Sequence, residues 1–364
     1  MKIGILSMQR VPNYGSFLQA YSLKTIIESK GHKAVFVDIE NKKDYLPKRK
    51  SKLLIKLNKI KYVDKYFFKR MKYSEKNKQM AQLFQNVQKK YLGIKPDKMT
   101  SEGCDTVIIG SDEIFNCSPV SYWGISGQRF GDIPGVQNVL SYAASCGYTG
   151  QDDMGEDDKA LISSALKKLS NISVRDDNTR DFVKKLINKE PEMHLDPVLI
   201  YGFEKEIKIG ENEGFPDYPY MVVYAYHNRI NSKNEINAIR GYAKEKGLKT
   251  IAIGGSLPWC DEFAVISPFQ VLAYFKHAHC IITDTFHGTV MAAKLNKSFG
   301  TIVRESNKNK LDDLLKRLKI ENHKLTDINL INKVFDQQDD FKNCNTVIED
   351  GQKRALEYLE KTAL

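Results

Sequence analysis

The stretch Ile281–Leu295, IITDTFHGTVMAAKL, places Asp284, Thr285 and His287 at the turn from an apolar strand pattern into a helix. A turn needs only Gly or Asn there, and a core needs none of the three. An imidazole beside a carboxylate and a hydroxyl suits proton transfer near neutral pH. Gly288 and Thr289 then open the helix, whose N-terminus favours an anion. The strand YMVVYAYHN ends in the same way, on His227 and Asn228. No H-x-x-x-H or comparable ligand spacing accompanies these histidines, so no metal site is read.

Other strand ends carry similar groups. After the first strand, SMQRVPNYGS holds Asn13 and Gly15, both tolerant of positive φ, and Ser16, an expected N-cap. A helix N-terminus there would hold a phosphate or carboxylate, although the loop is not G-x-G-x-x-G. DTVIIG is followed by Ser111, Asp112 and Glu113, a triple suited to sugar hydroxyls or to base catalysis; capping the next segment is the alternative. ISVRDD places Arg175 after another strand. Its guanidinium fits a carboxylate or phosphate bidentately, or else pairs structurally with Asp176 or Asp177. SYAASCG offers Ser145 among small residues that allow close approach. Cys146 has no histidine near it in sequence and reads as a buried, inert thiol.

The elements carrying these groups alternate. Strand 3–6, helix 17–32 and strand 34–39 make a βαβ unit, which implies a parallel sheet. The rhythm resumes at 105–113, 138–145, 171–177 and 194–200, with helices near 157–170 and 178–188. Residues 205–219 are polar and rich in Gly and Pro, and read as a linker. Strands at 220–227, 250–255, 280–284 and 299–304 follow, with helices between them. The expected organisation is an N-terminal Rossmann-like domain over 1–204 with a basic helical insertion at about 41–98. A linker at 205–219, a second such domain over 220–340, and a helix at 341–364 packing back on the body complete it. The fold class is α/β, two Rossmann-like domains with parallel sheets facing a cleft. Ligands of such sheets bind outside the carboxyl ends of the strands, where these polar groups lie.

Composition narrows the class. No run of 18 apolar residues exists, so no membrane span is expected, and the N-terminus reads as a strand rather than a signal peptide. Six cysteines with no C-x-x-C pair argue against a zinc ribbon or a disulfide framework and suit a cytoplasmic protein. The formal net charge is +11, yet residues 41–98 hold 19 Lys and Arg against four acids. The remaining chain is therefore net acidic. Within Ser51–Lys78 the apolar residues Leu53, Leu57, Ile60, Phe67 and Met71 recur at helical spacing among lysines. That pattern suits a solvated helix or peripheral contact with an anionic membrane. Nucleic acid is not expected as a partner, since no recognised motif accompanies the charge.

Six segments in order, NYGSFLQAYSL, GSDEIFN, SYAASCG, ISVRDDNTRDFV, LDPVLI and ITDTFHGTVMAAKL, resemble the polysaccharide pyruvyl transferase family. The resemblance implies a GT-B-like arrangement and transfer of pyruvate from phosphoenolpyruvate onto two sugar hydroxyls, forming a ketal in a bacterial surface polysaccharide. It implies no cofactor, because phosphoenolpyruvate is itself the donor substrate. The acceptor would be a glycan or lipid-linked oligosaccharide at the inner face of the cell membrane. His287 matches the family's late-strand histidine, the group for proton transfer. Arg175 matches the arginine of its S-V-R motif and would hold the anionic donor, together with Asn13, Gly15, Ser16, Thr285, Gly288 and Thr289. Asp112 would assist catalysis, and Ser111, Glu113, Ser145, His227, Asn228 and Asp284 would meet the acceptor. Many members carry Arg where Thr285 stands, which marks this chain as divergent; Arg304, Lys310 or a lysine of the basic segment are the candidate replacement cations. The alternatives are a nucleotide-sugar glycosyltransferase on the same fold and a non-catalytic glycan- or membrane-binding relative.

Overall fold

The computed structural model describes residues 1–40, 75–118, 123–227, 229–337 and 340–364. Most of the basic stretch Ser51–Lys78, and Asn228, therefore lie outside the described residues. Two compact units emerge: Met1–Pro12 with Leu23–His194 and Glu357–Leu364, and Asn13–Ser22 with Leu195–Leu356.

The first unit is built on strands β1 (Lys2–Leu6), β2 (Lys33–Val37), β3 (Thr106–Ile109), β4 (Asn138–Ser141), β5 (Ser173–Val174) and β6 (Glu192–Met193). Its main sheet runs β2-β1-β3-β4, all parallel. The bridge Ala144↔Val174 leads on to the pair β5-β6. Helices α2 (Glu75–Val87), α3 (Glu156–Leu166) and α4 (Asp177–Ile187) alternate with the strands, as does α1 (Tyr14–Ser29), whose residues up to Ser22 belong to the second unit. After Lys2 and Thr106, β1 and β3 are apolar runs buried on both faces, as strands of a covered parallel sheet must be. Val107, Ile109, Phe115, Phe130 and Phe182 belong to the core beside them. The strand order 2-1-3-4 reverses direction between β1 and β3, so the crevice of this sheet opens there.

The second unit contains α5 (Pro197–Ile200), α6 (Glu204–Glu213), α7 (Lys233–Glu245), α8 (Pro268–His277), α9 (Phe286–Lys294), α10 (Lys308–Arg317) and α11 (Ile331–Phe335). Its strands are β7 (Tyr220–Tyr224), β8 (Lys249–Ile253), β9 (Glu262–Phe263), β10 (Cys280–Thr283), β11 (Phe299–Ile302) and β12 (Lys324–Leu325). They form one parallel sheet in the order β12-β11-β10-β7-β8-β9. That is the Rossmann order, with the switch point between β7 and β10. The last helix, α12 (Lys342–Thr362), ends in the first unit, where Tyr358 Oη donates to the Ser141 carbonyl at 2.9 Å.

Three expectations change. Residues 204–213 are not a linker but the packed helix α6. Its charges other than the buried Glu206 lie outward while Ile207 and Gly210 face inward, and a Cβ on Gly210 would sit 2.1 Å from the Phe269 carbonyl of α8. The division between units falls at His194/Leu195, earlier than the composition signalled. The segment 194–200 is not extended throughout: Pro197 starts the short helix α5, with Asp196 as its N-cap.

Candidate active site

His287 is the second residue of α9, at the second unit's switch point. Its position follows from the threonines around it. Thr285 is the N-cap, its Oγ1 accepting from Gly288 N at 2.9 Å, and its own N–H donates to Thr283 Oγ1 at 3.1 Å. Thr283 Oγ1 in turn donates to the Tyr224 carbonyl of β7 at 2.8 Å. Thr289 donates to the Thr285 carbonyl and shares a 2.9 Å hydrogen bond with Thr301 of β11. Gly288 allows this close seating, since a Cβ there would lie 2.2 Å from Thr283 Oγ1. Thr285, Gly288 and Thr289, expected to bind the donor, thus build the turn that presents His287. Thr289 is fully buried and faces the interior.

The imidazole is bordered on one side by the first turn of α1. A Cβ at Gly15 would fall 2.2 Å from both Cγ and Nδ1 of His287. Gly15 is required by this approach and not by backbone conformation, for neither it nor Asn13 adopts positive φ. Asn13, rather than Ser16, caps α1: its Oδ1 accepts from Gly15 N at 2.8 Å and from Ser16 N at 3.2 Å, and its Nδ2 donates to Tyr226 Oη at 3.1 Å. Ser16 is buried inside the helix. Asparagine outcompetes serine here because it sits one residue before the first helical position. Both helix N-termini are closed in part by their own caps, which leaves fewer amides for an anion than the sequence promised.

On its other edge, His287 Nε2 lies 3.6 Å from Asp196 Oδ2, both groups buried. The spacing permits an ion pair but is long for a hydrogen bond, and Nε2 has no hydrogen-bond partner. Sequence reading overlooked Asp196, although Asp before Pro at a helix start was a legible cap signal. His227 is half-buried just past the end of β7, against Gly255, where an added Cβ would fall 2.2 Å from the His227 backbone N.

Asp284, expected to meet the acceptor, is instead a buried strut. Its Oδ2 accepts from Arg304 Nε at 2.6 Å and lies 3.8 Å from Arg229, while its carbonyl accepts from Asn307 Nδ2 at 2.7 Å. Burial raises its carboxyl from its ordinary value, against the pull of Arg304 and Arg229. Arg304 also pairs with Glu235 at 2.7 Å. Burial would raise the Glu235 carboxyl, but hydrogen bonds from Ser232 and Arg304 leave it below its usual value. Arg304 therefore already serves two carboxylates and does not stand in for an arginine at Thr285.

The first unit gathers the remaining predicted residues at its own switch point. Arg175 is buried, and its Nη1 donates to Ser111 Oγ at 3.3 Å; Ser7 Oγ of the β1 end donates to the Ser111 carbonyl at 3.2 Å. The neighbouring acids are engaged elsewhere. Asp176 accepts from Ser145 Oγ at 2.6 Å and from Thr179 Oγ1 at 2.6 Å, and Asp177 pairs with Arg180 at 2.9 Å. Ser145 is fully buried and acts within this cap network rather than toward an acceptor. Asp112 takes φ 78° and Ala143 φ 49°, strained backbone at the ends of β3 and β4. Asp112 Oδ1 accepts from Glu113 N at 2.9 Å, and Glu113 Oε2 accepts from Asn116 Nδ2 at 3.2 Å. Below the same loop Arg129 is fully buried, donating to the carbonyls of Ile114, Asn116 and Gly124; its sequence context gave no hint of this clamp. Burial, with Asp176 beside it, pushes the Cys146 thiol far up, so it is no nucleophile.

The family model for polysaccharide pyruvyl transferase matches residues 13–306, most of the chain. The chain belongs to the polysaccharide pyruvyl transferase family. Membership makes it a transferase. No curated protein matches the chain in sequence. Among solved structures it is similar to the Methanocaldococcus jannaschii UDP-GlcNAc 2-epimerase, at 12% identity over 98% of this chain and 100% of that one, with a TM-score of 0.52. It is also similar to Arabidopsis thaliana UGT89C1 complexed with UDP, at 11% identity over 100% of both chains and a TM-score of 0.51. At such identities the likeness is one of fold, GT-B-like with Rossmann-like units. Among the described residues no helix is long and apolar enough to cross a membrane.

Proposed function

We propose that this member transfers the pyruvyl group of phosphoenolpyruvate onto two hydroxyls of a sugar in a cell-surface polysaccharide precursor. The observation that carries this reading is His287. It is a buried imidazole at the switch point of a Rossmann-ordered sheet, flanked by a glycine and a carboxylate, within the matched family segment.

In the proposed chemistry His287 acts first as an acid, giving its proton to the methylene carbon of the donor. That makes the adjacent carbon electrophilic. An acceptor oxygen bonds to it, and its proton passes back to the imidazole. Loss of inorganic phosphate and attack by the second hydroxyl, whose proton leaves on the departing phosphate, close the ketal, so donor and diol become ketal and phosphate. Proton transfer by a positioned group of this kind contributes roughly 10²–10⁴-fold.

Arg175, with Ser111 beside it, is the proposed anion-binding group of the first unit; the donor's carboxylate or phosphate is its candidate ligand. Asp112 and Glu113 are proposed to meet acceptor hydroxyls. An acceptor carried on a lipid at the inner membrane face would give the basic stretch Ser51–Lys78 a partner. The test is acceptor-dependent phosphate release from phosphoenolpyruvate. It is expected in the native protein and lost in His287→Ala; release that persists in the variant removes His287 from the reaction.

A further inference from the structure

The pairing of Asp196 with His287 carries an inference about which imidazole nitrogen works. It rests on the proposed acid–base role of His287.

Asp196 is held rigidly. Its Oδ1 accepts from Val198 N at 3.0 Å as the cap of α5, and its carbonyl accepts from Leu199 N at 2.9 Å. Pro197 fixes the following φ. With one oxygen fixed on Val198, the other, Oδ2, is the one facing His287 Nε2 at 3.6 Å. The far end of α5 is tied to the same helix, because Lys294 Nζ of α9 donates to the Leu199 carbonyl at 2.8 Å. His287 and Lys294 are two turns apart on one face of α9, so α5 is fastened along α9 at both ends. The side chain of Asp196 is fully buried and that of His287 nearly so, which strengthens a charge-assisted contact between them.

We propose that Asp196 is a positioning residue for His287. It keeps one proton on Nε2 throughout, and Nδ1, the nitrogen bordered by Gly15, gives the second proton of the imidazolium to the substrate and takes it back. An ionised carboxylate oxygen has no proton to give, so even at 3.6 Å it favours a proton on Nε2 over a lone pair facing it, which selects one neutral tautomer.

The variant Asp196→Asn tests this with little disturbance, since Asn caps a helix as well as Asp does. Its Oδ1 must stay on Val198 N, which turns the amide NH₂ toward His287. The imidazole must then accept at Nε2 and carry its proton on Nδ1. Two-bond ¹H–¹⁵N correlation spectra of ¹⁵N-histidine-labelled protein, with His287 assigned from His287→Gln, read the tautomer directly. The native protein is expected to show Nε2–H and the variant Nδ1–H. A native Nδ1–H form, or the same tautomer in both proteins, overturns the proposal whatever the activity proves to be. In turnover, kcat should fall roughly 10²–10⁴-fold in the variant with KM little changed, the scale of a misplaced acid–base group. An Asp196→Asn protein as active as the native one also overturns it. Loss of the His287→Ala phenotype alone would instead refute the pyruvyl-transfer reading and leave the tautomer result standing.

Discussion

Gly15→Ala isolates the contact on which the site's geometry turns. The added carbon would sit 2.2 Å from Cγ and Nδ1 of His287 and 2.6 Å from its Cβ. An ordinary carbon contact is ~3.5 Å, so the ring or the first turn of α1 must yield by about 1.3 Å. A displacement near 1 Å at a reacting group can cost on the order of 100-fold in rate. Stability should suffer less. Overpacking costs about 1–3 kcal/mol, while replacing a helical glycine by alanine returns about 1 kcal/mol. The expected net loss is therefore modest and the fold survives. Gly241→Ala on α7 is the control, since nothing lies within 4 Å of a Cβ there; it should gain about 1 kcal/mol and leave activity unchanged. The assay pairs phosphate release from phosphoenolpyruvate with thermal unfolding of the same samples. A Gly15→Ala protein within threefold of native activity would refute the claim that this approach sets the position of His287.

Other outcomes follow from the same geometry. Arg304→Met leaves Asp284 facing only Arg229 at 3.8 Å, and should cost roughly 2–3 kcal/mol, the low end for a buried pair because Arg304 is partly exposed. Burial already holds the Asp284 carboxyl above its unfolded value, so its contribution to stability falls as pH rises through the carboxylate range. Removing the counter-charge raises that carboxyl further. Denaturant unfolding should therefore show a larger deficit for Arg304→Met at pH 7 than at pH 4; a deficit independent of pH contradicts the pairing. Thr285→Ala should lose about 1 kcal/mol of helix capping and Thr285→Ser almost none. Thr285→Arg should be less stable than Thr285→Ala and gain no activity, because the position is an interior cap; increased turnover would show that an arginine there still serves the donor.

Much of the fold was legible because strands buried on both faces of a parallel sheet are plain apolar runs, as at Thr106–Ile109 and Cys280–Thr283. Strand ends bearing polar groups then marked the two switch points. Residues 205–219 misled because the charges of α6 outnumber its buried Ile207 and Gly210, and a glycine packed against Phe269 looks in sequence like a glycine in a loop. Ser16 was a sound capping residue, but Asn13 lay closer to the first helical amide. What sequence could not give were the long-range meetings: Gly15 with His287, Asp196 with the same ring, and Arg304 with Asp284. Each joins residues far apart in the chain, so no local pattern announces it.

The most direct measurement offers the protein two donors side by side, ¹³C-labelled phosphoenolpyruvate and a UDP-sugar, with a lipid-linked glycan as acceptor, and follows the label by NMR. A ketal carbon on the glycan is expected, with one phosphate released per ketal, and neither in His287→Ala. Consumption of the UDP-sugar with the phosphoenolpyruvate left intact would contradict this.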